Sequence, residues 1–197
     1  MLSNPEKSSP LAEALTQLYP ISDVTKEALL QALKPCIYSK GLLVLTPGQR
    51  SEYLYFIEKG LMRGYYMEEG KEITTWIVAE GGVGMATESF YRQTPSDLYI
   101  EVLEDSTVYR LHYQDFLGLR LKYPDYAQFI LRFTEEYLIF NNIRLQLLCT
   151  RSPLERYKLF DSKHANLRGR LSQSVLASYL NMSYYQISRI RTQLSKI

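Results

Sequence analysis

The sequence contains little of what metal centres and disulfide frameworks require. Its 197 residues include two cysteines and two histidines. Cys36 and Cys149 lie far apart and in no C-x-x-C spacing, so they cannot form a four-cysteine metal or cluster site within one chain. We expect both to be buried free thiols. His112 and His164 have no histidine or carboxylate neighbours at ligand spacing and are interpreted as structural or surface residues, so the sequence predicts no metal and no cofactor.

Long apolar runs and catalytic motifs are missing as well. No uncharged apolar stretch approaches the ~18 residues that a membrane span needs. The amino terminus, MLSNPEKSSP, lacks the basic and then apolar organisation of a secretion signal. No nucleophile elbow, P-loop, HExxH or Rossmann glycine pattern occurs. These absences predict a cytoplasmic protein that is not an enzyme and has no membrane partner.

Charge is distributed unevenly, although the whole chain carries a net charge of only +2. Residues 151–197 carry nine Lys/Arg against two Asp/Glu, a net charge of +7, whereas residues 1–150 carry a net charge of −5. A basic segment on an acidic body is typical of a nucleic-acid module joined to a domain that does not contact phosphate. A solvated basic face without a partner is the alternative.

The last 27 residues, LSQSVLASYLNMSYYQISRIRTQLSKI, predict two short helices joined by a tight turn. Asn181 tolerates the left-handed backbone that such a turn requires. Ser183 and Gln186 form an S-x-x-Q capping box, so the second helix should begin at Tyr184. The pattern fits a helix-turn-helix, in which the second helix enters the DNA major groove. A helical hairpin that closes some other domain is the alternative.

The rest of the chain divides into a strand-rich part and a helical part. Residues 11–34 predict short helices, and residues 36–111 predict short strands separated by glycine turns. The strand candidates are 42–45, 53–58, 61–67, 73–78, 98–103 and 106–111. Such regular punctuation implies a β-sandwich or barrel. Helices are then expected over 113–122, from 124 to about 149, and from 154 to about 161.

The long predicted helix carries two apolar stripes. One is a heptad a/d seam with one polar interruption, formed by Tyr126, Ile130, Phe133, Tyr137, Phe140, Arg144 and Leu147. The other is Leu131, Leu138 and Leu145 on a neighbouring face. We expect a homodimer with the seam as its interface, because helix-turn-helix proteins usually bind two half-sites as symmetric dimers. One stripe could instead cover the β-domain, and the alternative to a dimer is one broad face packed within the monomer.

The order of these elements resembles the catabolite-activator/fumarate-nitrate-regulator (CRP/FNR) family of bacterial transcription factors, in a branch found in Bacteroidetes. The resemblance is carried by residues 47–66, 100–111, 152–160 and the terminal LSQSVLASYLNMSYYQISRIR. It implies an α+β fold with a cyclic-nucleotide-binding-type β-roll (jelly roll) over 1–123, a dimerisation helix over 124–150 and a helix-turn-helix domain over 151–197. The family's β-hairpin wing is expected to be lacking.

The resemblance also locates an effector pocket in the β-roll. In the family, a Gly-Glu pair and an Arg-Ser or Arg-Thr pair hold the phosphate of a cyclic nucleotide. Here Gly84, Met85 and Ala86 stand at the first position, and Ser96 and Asp97 at the second. A carboxylate would repel a phosphodiester, so we expect weak or absent cyclic-nucleotide binding. The candidate pocket residues are Gly84, Met85, Ala86, Thr87, Glu88, Ser89, Ser96 and Asp97.

Carried onto the second helix, the family's base-reading positions fall on Tyr184, Tyr185 and Arg189. Arg189 could bind guanine through two hydrogen bonds, whereas the tyrosines depart from the charged residues usual in the family. Their rings could instead pack on the first helix. Gln186 is more suited to capping than to reading bases. The candidate DNA-binding residues are Ser183, Tyr184, Tyr185, Gln186, Ser188, Arg189, Ser172, Gln173, Arg170 and Arg191, with Arg168 adding sequence-independent attraction.

Together these features predict a homodimeric transcription regulator that binds double-stranded DNA in a sequence-specific manner. An unidentified small-molecule effector and RNA polymerase are candidate further partners. One alternative is a cyclic-nucleotide-responsive regulator with a rearranged pocket. Another is a ligand-binding or protein-interaction module that does not bind DNA.

Overall fold

The computed structural model describes residues 20–194. Its helices are α1 (Asp23–Ala32), α2 (Thr87–Arg92), α3 (Tyr113–Lys122), α4 (Pro124–Cys149), α5 (Pro153–Lys163), α6 (Gln173–Leu180) and α7 (Tyr184–Leu194), with a 3-10 turn at Ala165–Leu167. Its strands are β1 (Lys34–Tyr38), β2 (Leu43–Leu45), β3 (Tyr53–Lys59), β4 (Met62–Glu68), β5 (Lys71–Val78), β6 (Val83–Gly84), β7 (Tyr99–Val102) and β8 (Ser106–His112). The helical pattern predicted before Pro20 and the predicted lack of a wing after Leu194 both lie outside the described residues.

The strands form two four-stranded sheets, ordered β1-β8-β3-β6 and β2-β7-β4-β5. All six strand candidates are confirmed to within about two residues at each end, and so is the α+β class with an amino-terminal β-roll. Strands β1 and β8 are antiparallel, as are β3 and β8. Strands β1 and β6 were not among the named candidates, and β1 begins at Lys34, within the stretch predicted to be helical. The two-residue strand β6 is too short to show an alternation of apolar and polar residues.

One face of the first sheet supports the main hydrophobic core of the described chain. Leu54 and Phe56 of β3 alternate with Tyr53 and Tyr55, and only the first pair belongs to this core. Successive strand residues point to opposite faces, so the tyrosines lie on the other side of the sheet. The core also takes in Leu111 from β8 and apolar side chains of α1, α3 and the start of α4, among them Leu29, Leu33, Phe116, Tyr126 and Phe129.

The described residues fall into two compact units. The first comprises the residues up to Gly64 together with Ile77–Glu136, and the second comprises Tyr65–Trp76 together with the residues from Tyr137 onward. The tip of the β4–β5 hairpin therefore groups with the carboxyl-terminal helices, and α4 contributes to both units. The domain boundaries at 123 and 150 stay predictions.

The structure corrects the predicted interface seam on α4. Tyr126 and Leu147 are each 0% exposed and Arg144 is 8% exposed within the single chain, so they have no surface to offer a second copy. Ile130, Phe133, Tyr137 and Phe140 are half-buried. The exposed apolar side chains of α4 are instead Leu131, Leu138, Ile139, Leu145 and Leu148, with Leu138 62% exposed. Periodicity identified both stripes correctly but not which one the chain itself covers.

The cysteine prediction also needs correction. Both thiols are free, but Cys36 is half-buried and Cys149 is exposed. The structural interpretation of the histidines is confirmed: the Nδ1 of His112 accepts a hydrogen bond from the Gln114 backbone N–H (3.1 Å) at the start of α3, and His164 is 8% exposed. No helix between residues 20 and 194 is both long enough and apolar enough to cross a membrane.

Candidate nucleic-acid interface

The first helix of the candidate motif, α6, is capped at both ends as its sequence predicts. The Ser172 hydroxyl accepts a hydrogen bond from the Val175 backbone N–H at 3.2 Å. At the other end Asn181 adopts the left-handed conformation, with φ 48° and ψ 55°. The Met182 N–H then donates to the Ala177 carbonyl at 2.9 Å, which closes the turn. The predicted turn at Asn181 is confirmed.

The second helix, α7, begins at Tyr184 because a reciprocal capping box forms there. The Ser183 backbone N–H donates to Gln186 Oε1 at 2.8 Å, and the Gln186 N–H donates to the Ser183 hydroxyl at 3.2 Å. Gln173 joins the two helix starts, because its side-chain amide donates to the Tyr184 carbonyl at 3.2 Å. The structure thus brings Gln173, Ser183 and Gln186 together at the amino-terminal end of α7, and Gln186 serves as the cap.

One side of α7 is buried and the other is open. Ile187 is 0% exposed and Ile190 is 6% exposed, while Tyr184 is 54% and Tyr185 is 83% exposed. Tyr185 therefore does not pack on the first helix, and its ring meets that of Tyr184 edge-on at 6.1 Å. Arg189 is exposed on the same side, and its guanidinium forms no hydrogen bond or ion pair with any residue between 20 and 194.

The other predicted DNA-binding residues are placed less uniformly. Ser188 is exposed on α7, and Ser172 is exposed at the start of α6. Arg170 is half-buried, and its Nη1 donates to the Asn166 carbonyl at 3.3 Å. Arg191 is half-buried on α7 and lines a cavity. Arg168 forms an ion pair with Asp161 at 2.8 Å, so its charge is partly neutralised by its own chain.

Arg156 of α5 positions the turn, a role that the sequence did not reveal. Its Nη1 donates to the Leu180 and Asn181 carbonyls at 2.8 and 3.1 Å. Its Nε and Nη2 both donate to the Thr150 carbonyl, at 3.0 and 2.7 Å. The guanidinium therefore satisfies the last carbonyls of α6 and the backbone just after α4, where a positive charge also complements the helix dipole.

Replacing Arg156 with methionine should lower the free energy of unfolding by about 2–4 kcal/mol, because hydrogen bonds from a charged group are lost and the carbonyls stay unpaired. Urea unfolding measures this change. Lys158→Met is the matched control, since Lys158 of the same helix forms only an exposed pair with Glu155 at 3.1 Å and should change stability by less than ~1 kcal/mol. Equal effects of the two substitutions would contradict the positioning role.

Within the second unit, α6 also contacts the tip of the β4–β5 hairpin. The Thr74 backbone N–H donates to the Ser178 hydroxyl at 2.8 Å, and that hydroxyl donates to the Glu72 carbonyl at 2.8 Å. Arg144 of α4 donates to the carbonyls of Thr74 (3.0 Å) and Thr75 (3.3 Å). Strand β5 is an edge strand, so these side chains pair backbone groups that no further strand reaches.

This contact explains the polar interruption in the α4 seam. The guanidinium carbon of Arg144 lies 4.0 Å from the centre of the Tyr179 ring on α6, a cation–π arrangement. The residue that broke the heptad thus connects α4, β5 and α6 within one unit. Neither Arg144 nor Ser178 carried a sequence signal for this role, because their partners are backbone groups about 70 and 104 residues away.

His164 lies in an aromatic cluster beneath α6. Its ring is 5.2 Å from that of Phe160 and 6.1 Å from those of Phe140 and Tyr179. Its Nε2 is buried without a hydrogen-bond partner. Burial lowers the pKa of His164, and the positive charge of Arg144 lowers it further. The folded protein therefore holds this imidazole in its neutral form.

The stability of the protein should consequently depend on His164 below neutral pH. The unfolded chain takes up this proton near pH 6.5, whereas the folded chain does so only at lower pH. The contribution of His164 to the free energy of unfolding is fully present above about pH 6.5. It is lost as the pH falls from there through the lowered pKa of the folded state. Urea unfolding between about pH 7.5 and 5 should show a smaller loss of stability for His164→Gln than for the parent. The same dependence of the free energy of unfolding on pH in the parent and in His164→Gln would contradict this prediction.

The stretch predicted to form the effector pocket surrounds a small cavity in the first unit. The cavity is about 200 Å³ and is lined by Ala86, Glu88, Ser89, Ser96 and Asp97 among the predicted residues. Gly84, Met85 and Thr87 do not line it: Gly84 pairs with Tyr55 in the sheet, and Met85 belongs to the core. The cavity wall thus carries two carboxylates and no lysine or arginine.

The serine hydroxyls of this cavity are engaged by the local backbone. Ser89 Oγ accepts from the Ser51 N–H at 2.9 Å and donates to the Thr94 carbonyl at 2.5 Å. Ser96 Oγ accepts from the Leu98 N–H at 2.9 Å. Arg92, the nearest arginine in sequence, forms an exposed ion pair with Glu88 at 2.8 Å. In the described part of the chain no group of three or more His, Cys, Asp or Glu side chains is placed to hold a metal ion.

The described chain combines a β-roll with a capped helix pair, and this architecture of β-roll and helix-turn-helix defines its fold class. Residues 35–123 match the family model described as "Cyclic nucleotide-binding domain". A search of curated proteins gave no match.

Solved structures share the fold over most of the chain. The catabolite activator protein of Thermus thermophilus is 18% identical, with 93% of this chain and 87% of that chain covered and a TM-score of 0.56. FixK2 of Bradyrhizobium japonicum is 19% identical, with coverage of 83% and 85% and a TM-score of 0.70. A protein of Eubacterium rectale described as a regulator of the CRP/FNR family is 15% identical, with coverage of 91% and 88% and a TM-score of 0.70.

Residues 35–123 therefore match a cyclic nucleotide-binding domain, and the chain shares the fold of solved structures that include a catabolite activator protein and a protein described as a CRP/FNR-family regulator. The resemblance inferred from the sequence is confirmed at this level. Its assignment to a branch typical of Bacteroidetes stays a prediction.

Proposed function

We propose that the protein is a homodimeric, sequence-specific DNA-binding transcription regulator. The observation that carries this proposal is the outer face of α7, where Tyr185 is 83% exposed and the Arg189 guanidinium is unpaired within the described chain. A guanidinium held on a helix and free of internal partners can bind guanine through two hydrogen bonds in the major groove. The similar fold of a catabolite activator protein and of a protein described as a CRP/FNR-family regulator agrees with this function.

Capping supports the same function. The hydrogen bonds of Ser172, Ser183 and Gln186 determine where α6 and α7 begin, and Arg156 holds the turn between them. A base-reading side chain must be placed to within a fraction of an ångström, which requires a rigid support of this kind. The net charge of +7 on residues 151–197 adds sequence-independent attraction to phosphate.

The dimer is proposed to form through the exposed stripe of α4 rather than through the seam predicted from the sequence. Leu131, Leu138 and Leu145 repeat every seven residues and are 53%, 62% and 58% exposed. Leucines at heptad spacing on an open helix face are the pattern by which two helices pack in a coiled coil. Two copies would then present two α7 helices to half-sites about 34 Å apart.

The β-roll is proposed to have lost the cyclic-nucleotide site. A phosphodiester in the cavity at residues 86–98 would face Glu88 and Asp97 without a neutralising cation in its lining. The hydroxyls of Ser89 and Ser96 are already hydrogen-bonded to backbone groups. In this proposal the protein regulates transcription without responding to cyclic AMP or cyclic GMP.

Selection of bound duplexes from a random library tests the DNA-binding proposal. We expect enrichment of a sequence with two symmetric half-sites, and failure to enrich any sequence would favour an interaction module that does not bind DNA. Isothermal calorimetry with cyclic AMP and cyclic GMP tests the altered cavity separately. Micromolar binding of either nucleotide would support a responsive regulator with a rearranged pocket instead.

A further inference from the structure

A second and larger cavity lies in the first unit, away from residues 86–98. Its volume is about 540 Å³, within the range of small-molecule sites. Tyr53 and Tyr55 of β3 and Arg110 of β8 line it, all on the sheet face opposite the main core. It shares no lining residue with the cavity to which the family resemblance assigns the phosphate. We name it the Arg110 cavity.

Arg110 brings a positive charge to this cavity without an internal counter-ion. Its Nε is buried and has no hydrogen-bond partner. Its guanidinium carbon lies 4.5 Å from the centre of the Tyr53 ring, and no carboxylate between residues 20 and 194 forms an ion pair with it. A bound anion would supply the counter-ion that this guanidinium lacks within the described residues.

Tyrosine rings surround the guanidinium. The rings of Tyr38 and Tyr55 meet edge-on at 6.4 Å, and those of Tyr53 and Tyr55 lie 6.3 Å apart. Burial raises the pKa of Tyr38 to about 12 and raises that of Tyr55 as well. The phenols therefore stay protonated at neutral pH, so they can donate hydrogen bonds to an anion while their rings contact an apolar group.

The remaining lining limits the kind of anion. Arg50 and Arg110 carry two positive charges and Glu52 one negative charge, so the lining favours a ligand with a single negative charge. Leu42, Val44 and Leu45 add aliphatic surface from β2 and the residue before it. The ligand should accordingly combine one anionic group with an apolar body.

We propose that the Arg110 cavity binds a small organic monocarboxylate with an aromatic or aliphatic body, whose carboxylate pairs with Arg110. Guanidinium and carboxylate match in geometry and form charge-assisted hydrogen bonds. The site makes the β-roll a sensor for a carboxylate rather than for a nucleotide. It does not depend on the DNA-binding proposal, since binding is measured without DNA.

Calorimetry on the full chain tests this site with benzoate, phenylacetate and hexanoate, and with benzamide as an uncharged analogue of benzoate. We expect saturable binding of at least one carboxylate and none of benzamide. Arg110→Gln should weaken binding about tenfold or more, because each 1.4 kcal/mol of a lost charge-assisted contact is a factor of ten. Arg120→Gln, at an exposed position of α3, is the matched control and should leave the affinity unchanged.

Thermal unfolding separates a binding role from a structural one. Without ligand, Arg110→Gln should unfold near the temperature of the parent, because Arg110 forms no ion pair within the described residues. With ligand, only the parent should gain stability. Tyr38→Phe, which removes one hydroxyl, should weaken binding a few-fold and serves in place of Arg110→Gln if that variant does not fold.

The proposal would be overturned if none of the carboxylates saturated the protein at about 10 mM, a concentration above the weakest specific affinities. Equal binding of benzamide would also overturn it. So would an unchanged affinity in both Arg110→Gln and Tyr38→Phe. Displacement of benzoate by cyclic AMP would also overturn it, since the cavity would then be a nucleotide site. A protein that binds a carboxylate but no DNA would contradict only the proposed function. A protein that binds DNA but no carboxylate would contradict only this inference.

Discussion

Replacing Leu138 and Leu145 together with glutamate should convert the proposed dimer into a monomer. Both side chains are exposed on α4, at 62% and 58%, so the substitutions disturb no internal packing of the chain. In a helix pair they would place four carboxylates at a seam from which water is excluded, at a cost of several kcal/mol. Analytical ultracentrifugation should show the mass of a single 23.0 kDa chain.

The double substitution should reduce the affinity for DNA more than it changes the structure of the chain. Two linked recognition helices bind two half-sites with an avidity about 10²–10⁴ greater than one helix alone. The double variant should therefore lose about 100-fold or more in affinity for a selected symmetric duplex, with an unchanged circular dichroism spectrum. Gln128→Glu combined with Gln146→Glu adds the same charge at exposed positions of α4 and is the matched control. A double leucine variant that stays dimeric would show that the interface lies elsewhere.

Replacing Arg189 with alanine should reduce both affinity and selectivity for DNA. The side chain is exposed and unpaired within the described chain, so its loss should leave the free energy of unfolding nearly unchanged. A bidentate contact to guanine contributes about 1–3 kcal/mol of discrimination, which corresponds to about 5- to 150-fold for each half-site. Because the contact reads a base, the selected sequence should lose its preference at one base pair in each half-site.

Arg132→Ala is the matched control for this prediction. Arg132 lies on α4 in an exposed pair with Glu135 at 2.8 Å, so its removal takes away the same charge far along the chain from α7. We expect a small, salt-dependent change in affinity without a change in preferred sequence. If Arg189→Ala keeps the parent's affinity for every selected duplex, α7 is not the recognition helix.

Local features of the candidate interface could be predicted from the sequence. The capping box of Ser183 and Gln186 and the left-handed turn at Asn181 depend on residues within a few positions of each other. Such interactions are determined by side-chain chemistry and backbone sterics alone. The division of α7 into a buried face with Ile187 and an open face with Arg189 follows from helical periodicity.

Long-range features could not be predicted in this way. Arg156 and Arg144 appear in the sequence as two more basic residues, yet their guanidinium groups hold carbonyls of α6 and β5. The sequence shows two apolar stripes on α4 but not which of them the chain covers. Leu147 is buried and Leu145 is exposed because of what each face of the helix meets in the folded chain. The sequence did not reveal the Arg110 cavity because its lining residues lie far apart in the chain. The pairing of β1 with β8 and of β8 with β3 brings together residues up to about 70 positions apart.

The sequence by itself determined most of the helices and strands of this protein, the basic charge of its carboxyl-terminal segment and the open face of α7, because these depend on composition and on periodicity over a few turns. Only the tertiary structure decided which stripe of α4 stays exposed, which arginines position helices and which remain free, and where the β-roll has a cavity with an unpaired charge. The physical reason is that burial and counter-ion pairing are relations between distant segments, and a single position in the sequence does not specify its partner.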